Sequence, residues 1–580
     1  MGPLGLLVAV SPSKGIRDAA DSCDRDYQAF SSSFWQNAAL YDRVRQVQPA
    51  DDIDRRYWRD TLDTFENAGV ALTPGKQKRV RELNDELTAL TQTFERRIRE
   101  DRTRLWFTRK ELTGVPPGVF KAAARDAQGR YRLGLDASTV YPLLENATRP
   151  ATRERMWRAF LSLGGAANLN TLATLTQRRR ELAQLFGLAS YADFVLRHRM
   201  ARSEAEVQTF LATVKDAMGV RELADLELLR AEKARHLNQP IDQTVLARWD
   251  TAFYAERVRR ATYAVDQEQF RRYFPPEASL HFVFQVAERL FGITVAPAAT
   301  PQSLWHPEAH AYTVTDNDSN ALLGTLFVDL YPRADKFNHA ALWSFRNVST
   351  LAGRLPAAAL VVNVSRQGLT LDELETLLHE FGHGLHALLS KTHYAGQGGI
   401  NVQLDFVEAP SQMLEDWVYE PKVLALFAEV CPRCEVVPTP LLAQARAARD
   451  FGKGIQFSRQ HLYASYDLAL HGREPADPLA LWARMEGAAP LGHVPGSLFP
   501  AGFEHIAGGY AAGYYGYLWS LVLAEDLRTA FAPDRLSPAV GRRYRATVLE
   551  NGGQVEPGEL LQRFLGRPLN SQAFFNALAQ

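Results

Sequence analysis

His379, Glu380 and His383 stand in the order H-E-x-x-H inside the stretch LETLLHEFGHGLHALL. On a helix, histidines four positions apart project from one face about one turn from each other, so both imidazoles can reach the same metal ion. Glu380 leaves that face to the side. A carboxylate there is poorly placed to join the histidines as a ligand, but it can take a proton from water activated by the metal.

A catalytic zinc site needs a third protein ligand and an open fourth position. Glu408, in DFVEAPSQMLEDW, lies 25 positions after His383 (408 − 383), beyond the glycine-rich HYAGQGGINVQL. That loop is long enough for a second helix to fold back and complete a His, His, Glu set. Glu415 shares the helical face of Glu408 and is either the ligand in its place or a partner of one. Asp372 and Glu375 precede His379 on the histidine face. They are candidates to orient an imidazole through its second nitrogen, or simply acids favoured at a helix start. His386 lies about 10 Å along the axis from His379, too far to share the ion, and is read as a packing or hydrogen-bonding residue.

A second cluster is FEHIAGGYAAGYYGYLWS, residues 503–520. His505, Tyr510, Tyr514, Tyr515 and Tyr517 crowd around Gly508, Gly509, Gly513 and Gly516. Such a loop can present phenols and an imidazole to a ligand, because glycine permits backbone geometries that bulkier residues resist. Those donors suit the oxyanion formed when water attacks a peptide carbonyl. The competing reading is an aromatic-rich helix start in the core.

These groups need elements to hold them. Leucines at 371, 374, 377, 378, 385, 388 and 389 recur at helical spacing around H-E-x-x-H, and Thr370 with Glu373 reads as a capping box. Upstream, AYTVTD, ALLGTLFVDLY and AALVVNVS are short, rich in β-branched and aromatic residues and bounded by turn formers, so they read as strands. A small sheet beside a metal-bearing helix can hold an extended peptide along its edge. The first third is helical and charged, with Leu83, Leu87, Leu90 and Phe94 in register, broken by Gly114, Pro116, Pro117 and Gly118. Helical periodicity resumes over 149–234, and further breaks are expected near Pro240, Pro275 and Pro276.

With 580 residues, 46% hydrophobic and 23% charged, the composition is that of a soluble globular protein. Lys+Arg and Asp+Glu both number 66, which argues against a dedicated nucleic-acid or anionic-membrane binder. The run Arg178, Arg179 and Arg180 reads as a solvated helix face. Three cysteines support no disulfide framework, and Cys431 and Cys434 form a lone C-x-x-C read as incidental, with a labile disulfide or a stray metal site as the alternative. The apolar start MGPLGLLVAV makes a poor signal peptide, and no run reaches membrane-spanning length. A soluble, cytoplasmic chain is expected, periplasmic or secreted if an upstream signal exists.

HEFGH, DFVEAPSQMLE and HIAGGYAAGYYGYLWS together resemble, in order, the diagnostic blocks of the thimet oligopeptidase, neurolysin and bacterial oligopeptidase A family of zinc metallopeptidases. YPLLENATRPATRERMW, WHPEAHAY, LFVDLYPRADKFNHAA and YRATVLENGGQVEPGELLQRFLGR extend the similarity over nearly all of the chain from Ser11 onward. The resemblance implies one Zn2+ per chain on His379, His383 and Glu408, with Glu380 as general base. It implies that His505, Tyr510 and Tyr517 bind substrate or stabilise the transition state, and that Tyr514 lines the same cleft, with Gly508 and Gly509 on the substrate-binding loop. The implied fold is mainly α: a two-lobed, prolate helical metallopeptidase with a small β-sheet beside the H-E-x-x-H helix and a deep central channel. Residues 1–155 would form an N-terminal helical lobe lacking the family's usual first segment. Residues 156–580 would form the catalytic part, with some of 240–310 packed in the other lobe. The implied substrates are short unstructured peptides, cut by a monomer. Dipeptidyl carboxypeptidase activity, or a catalytically impaired peptide-binding relative, is the alternative. The chain departs from the family at Leu404, where an arginine is usual.

Overall fold

The computed structural model describes residues 2–299 and 304–579. Helices carry most of it. In the N-terminal part Pro74–Arg99 is one long helix, started by Pro74 and packed through Val80, Leu83, Phe94 and Ile98. Gly165–Leu185 runs against it, and Glu204–Leu237 pairs with Lys453–Leu470. The expected break at 114–118 leads into a short helical turn, Pro117–Phe120. That turn belongs to a satellite core of its own, with Phe107, Leu143, Met156 and Trp157.

Two small sheets interrupt the helices. Strands β1 (Leu105–Phe107) and β2 (Tyr131–Leu133) form an antiparallel pair in the satellite core. The larger sheet contains β3 (Ile293–Pro297), β4 (Ala309–Asp316), β5 (Leu322–Asp329), β6 (Ala341–Arg346) and β7 (Ala357–Val361). Its order is β3-β4-β5-β7-β6, antiparallel except between β5 and β7, where Thr325 pairs with Ala357. Every residue of β7 is buried, as a strand covered on both faces must be. One cover is the helix Leu371–Leu389. The other is Gly2–Val10, whose Leu6, Ala9 and Val10 pack on Ala359 and Val361. The apolar start of the chain is thus part of the folded body. No helix among the described residues is long and apolar enough to cross a membrane.

The helix Leu371–Leu389 begins at the expected capping box: the Thr370 side chain accepts from the Glu373 N–H at 3.1 Å, and Glu373 accepts from the Thr370 N–H at 2.9 Å. Its apolar face, including Leu374, Leu377, Leu378, Phe381 and Leu385, enters the main core. Gly382 lets a neighbour come close, since a Cβ there would stand 2.7 Å from the Ser411 Cα. Larger side chains cannot occupy that space without moving backbone.

The C-x-x-C pair corrects the sequence reading. Cys431 and Cys434 form a disulfide, and Cys23 is free and exposed. Cys431 closes the helical turn Phe427–Val430, and its carbonyl accepts from the Cys434 N–H at 3.0 Å. That turn brings the two Cα atoms to 5.3 Å, within disulfide reach.

Candidate active site

The stretch expected to be one helix after the glycine-rich loop is broken. Leu404–Val407 and Ala409–Leu414 are separate helical pieces, continued by a 3-10 turn over Glu415–Tyr419. Pro410 sits in the first turn of the second piece, where its missing N–H is tolerated. Glu408 therefore stands at a junction, 3% exposed, and faces both histidines. Its Oε2 lies 3.0 Å from His383 Nε2 and 3.3 Å from His379 Nε2. Donor atoms of His379, His383 and Glu408 all lie within 4.8 Å of one another.

The other nitrogen of His379, Nδ1, is 2.7 Å from Glu415 Oε1. Glu375 instead accepts from the Tyr419 hydroxyl at 2.7 Å, and Asp372 accepts from Gln267 Nε2 at 3.0 Å. Burial raises Glu375 to about 8, with Glu415 and Asp372 adding to the effect. Burial also works against the charge on Glu408, but the two imidazoles outweigh it and hold its carboxyl well below the ordinary value. Glu380 is 9% exposed, beside the histidines, and burial raises its carboxyl. His386 is fully buried against Phe406, and neither ring nitrogen has a hydrogen-bond partner among the described residues.

Opposite lies the cluster of glycines and tyrosines. After a turn at Glu504–Ala507, the chain winds through 508–515 and enters the helix Gly516–Arg528. Tyr510 donates its hydroxyl to Glu408 Oε1 at 2.5 Å and stacks on Tyr517 with ring centres 5.1 Å apart. His505 is edge-on to Tyr510, Tyr514 and Tyr517, at 5.6, 5.5 and 6.0 Å. Burial lowers His505 to about 4, with His339 contributing, so the imidazole is neutral at pH 7. Burial raises the phenols of Tyr510, Tyr514 and Tyr517, keeping them protonated. Gly508 is half-buried beside the Glu95 carboxylate, and Gly509 is exposed with open space where a Cβ would stand. Leu404 packs its side chain against Gly513 of the same loop.

The two walls are tied together. Gln412, one turn after Glu408, donates to the Tyr517 carbonyl at 3.0 Å, and Arg528 Nε donates to the Met413 carbonyl at 3.0 Å. Asp405 accepts from the Tyr515 hydroxyl at 2.7 Å and from the Met200 and Ala201 N–H groups at 3.0 and 3.1 Å. Desolvation by the surrounding protein raises the Tyr141 phenol and the Asp372 carboxyl and lowers the His339 imidazole, although water still reaches each side chain.

Several of these groups escape sequence reasoning. Arg179 is only 4% exposed, so the expected solvated arginine face is corrected: Arg178 and Arg180 flank a residue turned inward to backbone carbonyls of the tyrosine loop. Asp467 and His471 were readable only as an i, i+4 pair. His339 and Gln412 carry no signal in their spacing.

An H-E-x-x-H helix against a small sheet, in a mainly helical body with a carboxylate from the next helical segment closing on both imidazoles, defines a metallopeptidase. The chain belongs to peptidase family M3, whose profile matches residues 143–580. It is 32% identical to "Oligopeptidase A" of Salmonella typhimurium, over 97% of this chain and 88% of that protein. It is 29% identical to "Saccharolysin" of Saccharomyces cerevisiae, over 99% and 86%. Among solved structures, a putative oligoendopeptidase F superposes with TM-score 0.63 at 14% identity, covering 99% of this chain and 87% of that one. PZ peptidase A with an inhibitor gives 0.61 at 13% identity, covering 99% and 88%. The protein is a metallo-oligopeptidase, and its substrates are peptides.

Proposed function

We propose that the protein hydrolyses internal bonds of short, unstructured peptides with one zinc ion held by His379, His383 and Glu408. The observation that carries this reading is the meeting of those three donors from separate segments, with Glu380 buried beside them. Two imidazole nitrogens and a carboxylate oxygen suit zinc, and Glu415 sets a carboxyl group behind the His379 ligand. Glu415 on His379 Nδ1 leaves Nε2 for the metal. When bound, zinc supplies a Lewis acid that acidifies water and polarises a carbonyl.

The protein's own groups do the rest. Glu380, raised by burial, is suited to accept a proton from the attacking water and to deliver it to the leaving amine. His505 and Tyr517 are neutral donors on the opposite wall, suited to the oxyanion. Tyr510 holds Glu408 and shares that wall. Tyr514, Gly508 and Gly509 border the space through which substrate passes. The edge strand β6 lies beside the catalytic helix and can pair with an extended chain. Similarity to oligopeptidase A and to a thimet-like oligopeptidase supports short peptides as the substrates.

The test is Glu380→Gln. The variant should keep one zinc per chain by mass spectrometry, while turnover of a quenched short peptide falls about 1,000-fold or more. Turnover within about tenfold of the parent in the zinc-loaded variant overturns the assignment.

A further inference from the structure

The loop carrying His505, Tyr510, Tyr514 and Tyr517 is held at both ends by one buried polar relay. At its start, Arg179 donates to the Ile506 carbonyl at 2.7 Å, the Ala507 carbonyl at 2.5 Å and, weakly, the Gly508 carbonyl at 3.5 Å. Further on, Asp467 accepts from the Ala512 N–H at 2.9 Å with Oδ1 and from the Tyr514 N–H at 3.0 Å with Oδ2. His471 joins the two: Nε2 lies 3.0 Å from Arg179 and Nδ1 2.9 Å from Asp467 Oδ1. Exposures of 4%, 2% and 1% for Arg179, His471 and Asp467 exclude solvent as an alternative partner.

The partners assign the donor and acceptor roles. A guanidinium only donates, so His471 Nε2 is the acceptor toward Arg179 and Nδ1 the donor toward Asp467, and both ring nitrogens are used. The loop also contains a backbone conformation that needs support. Ala512 has φ +56°, left-handed for a residue with a Cβ. Such conformations are unfavourable outside glycine and persist where surrounding contacts hold them, often at functional sites. Here the two Asp467 oxygens straddle the residue, one on its own N–H and one on the N–H two positions later.

We propose that Arg179, His471 and Asp467 are positioning residues for the reaction: they hold loop 505–517 so that its imidazole and phenols face the metal-site helix. This rests on the reading that those side chains stabilise the oxyanion. None of the three touches the substrate; their effect is transmitted through backbone. Relaxation of Ala512 toward an ordinary φ would turn the peptide planes between Tyr510 and Tyr514 and displace the donors.

Asp467→Asn tests this in the zinc-loaded enzyme. The amide keeps one acceptor oxygen and sets an NH2 group against an N–H donor, so one arm of the clamp is lost. Zinc content and KM should stay unchanged, kcat should fall about 100-fold, and amide exchange should quicken in 505–517 but not in 371–389. Adding Ala512→Gly should recover about tenfold of the loss, because glycine accepts positive φ unaided. Arg179→Lys, which keeps the charge but loses the fork, should show the same pattern and serves if Asp467→Asn fails to fold. A merely structural role would lower Tm with kcat of the folded protein intact and no rescue by glycine. Tyr517→Phe is measured in parallel. If it leaves kcat unchanged, the oxyanion reading falls. If it lowers kcat while zinc-loaded Asp467→Asn or Arg179→Lys remains within about twofold of the parent, the clamp is refuted.

Discussion

Both ring nitrogens of His379 face carboxylates, Glu415 on one side and Glu408 on the other. Glu415 therefore fixes which nitrogen is offered to a metal, a role that residue spacing left open between ligand and partner. Glu415→Ala should weaken zinc affinity about 10- to 100-fold, measured by competition with a chromogenic chelator, with the folded structure retained. Across the site, Tyr517 stacks on Tyr510 and has no carboxylate partner among the described residues, whereas Tyr510 is engaged with Glu408. Tyr517→Phe should lower kcat about 100-fold with little change in KM, since an oxyanion donor acts on the transition state and not on the bound peptide. An equal rise in KM would instead assign Tyr517 to ground-state binding.

Among elements, the H-E-x-x-H helix and the helical piece Ala409–Leu414 come into close backbone contact at Gly382 and Ser411. Gly382→Ala forces these backbones apart and carries Glu408 away from the histidines. Zinc affinity should fall, and stability should drop by about 1–3 kcal/mol in urea unfolding despite alanine's better helix propensity. A stabilised variant would show that the contact is slack. This part of the molecule was largely legible, because the capping box, leucine spacing and three internal strands follow from local periodicity. Edge strands β3 and β6 were not: β6 is half-buried nearly throughout, so no alternation marks it. The break at Glu408 was missed because Pro410 was read as part of a continuous helix, although it occupies a helix start. Arg179 was misread for a related reason. An arginine flanked by arginines gives no sign of which one turns inward; only the packing of Gly165–Leu185 against the tyrosine loop decides it.

The whole molecule encloses ionisable groups of both kinds, and their effects on stability oppose each other. Burial lowers His386 to about 3 and His461 and His505 to about 4. Below the ordinary value of 6.5 the unfolded chain takes up protons that the folded chain refuses, so stability falls as pH drops from 6.5 toward 4. Burial raises Glu95 to about 7 and Glu145 and Glu504 to about 8. There the folded chain holds protons that the unfolded chain releases, so this contribution is lost as pH rises from 4.5 through about 8. Glu145→Gln removes one source of the alkaline loss. Its unfolding free energy in urea should match the parent near pH 5 and exceed it progressively toward pH 8, by about 1 kcal/mol after discounting for solvent screening. A constant offset across pH would place the effect in packing instead.

The relay of Arg179, His471 and Asp467 has a consequence for how such a chain can drift over generations. Arg179 comes from a stretch far from the Asp467 and His471 pair, and the three match one another donor for acceptor, so a change at one leaves the other two mismatched in a dry interior. Positions 179, 467 and 471 should therefore be inherited as a block. A lineage that replaces one would be expected to replace its companions, and to settle on glycine or asparagine at 512 when the block dissolves.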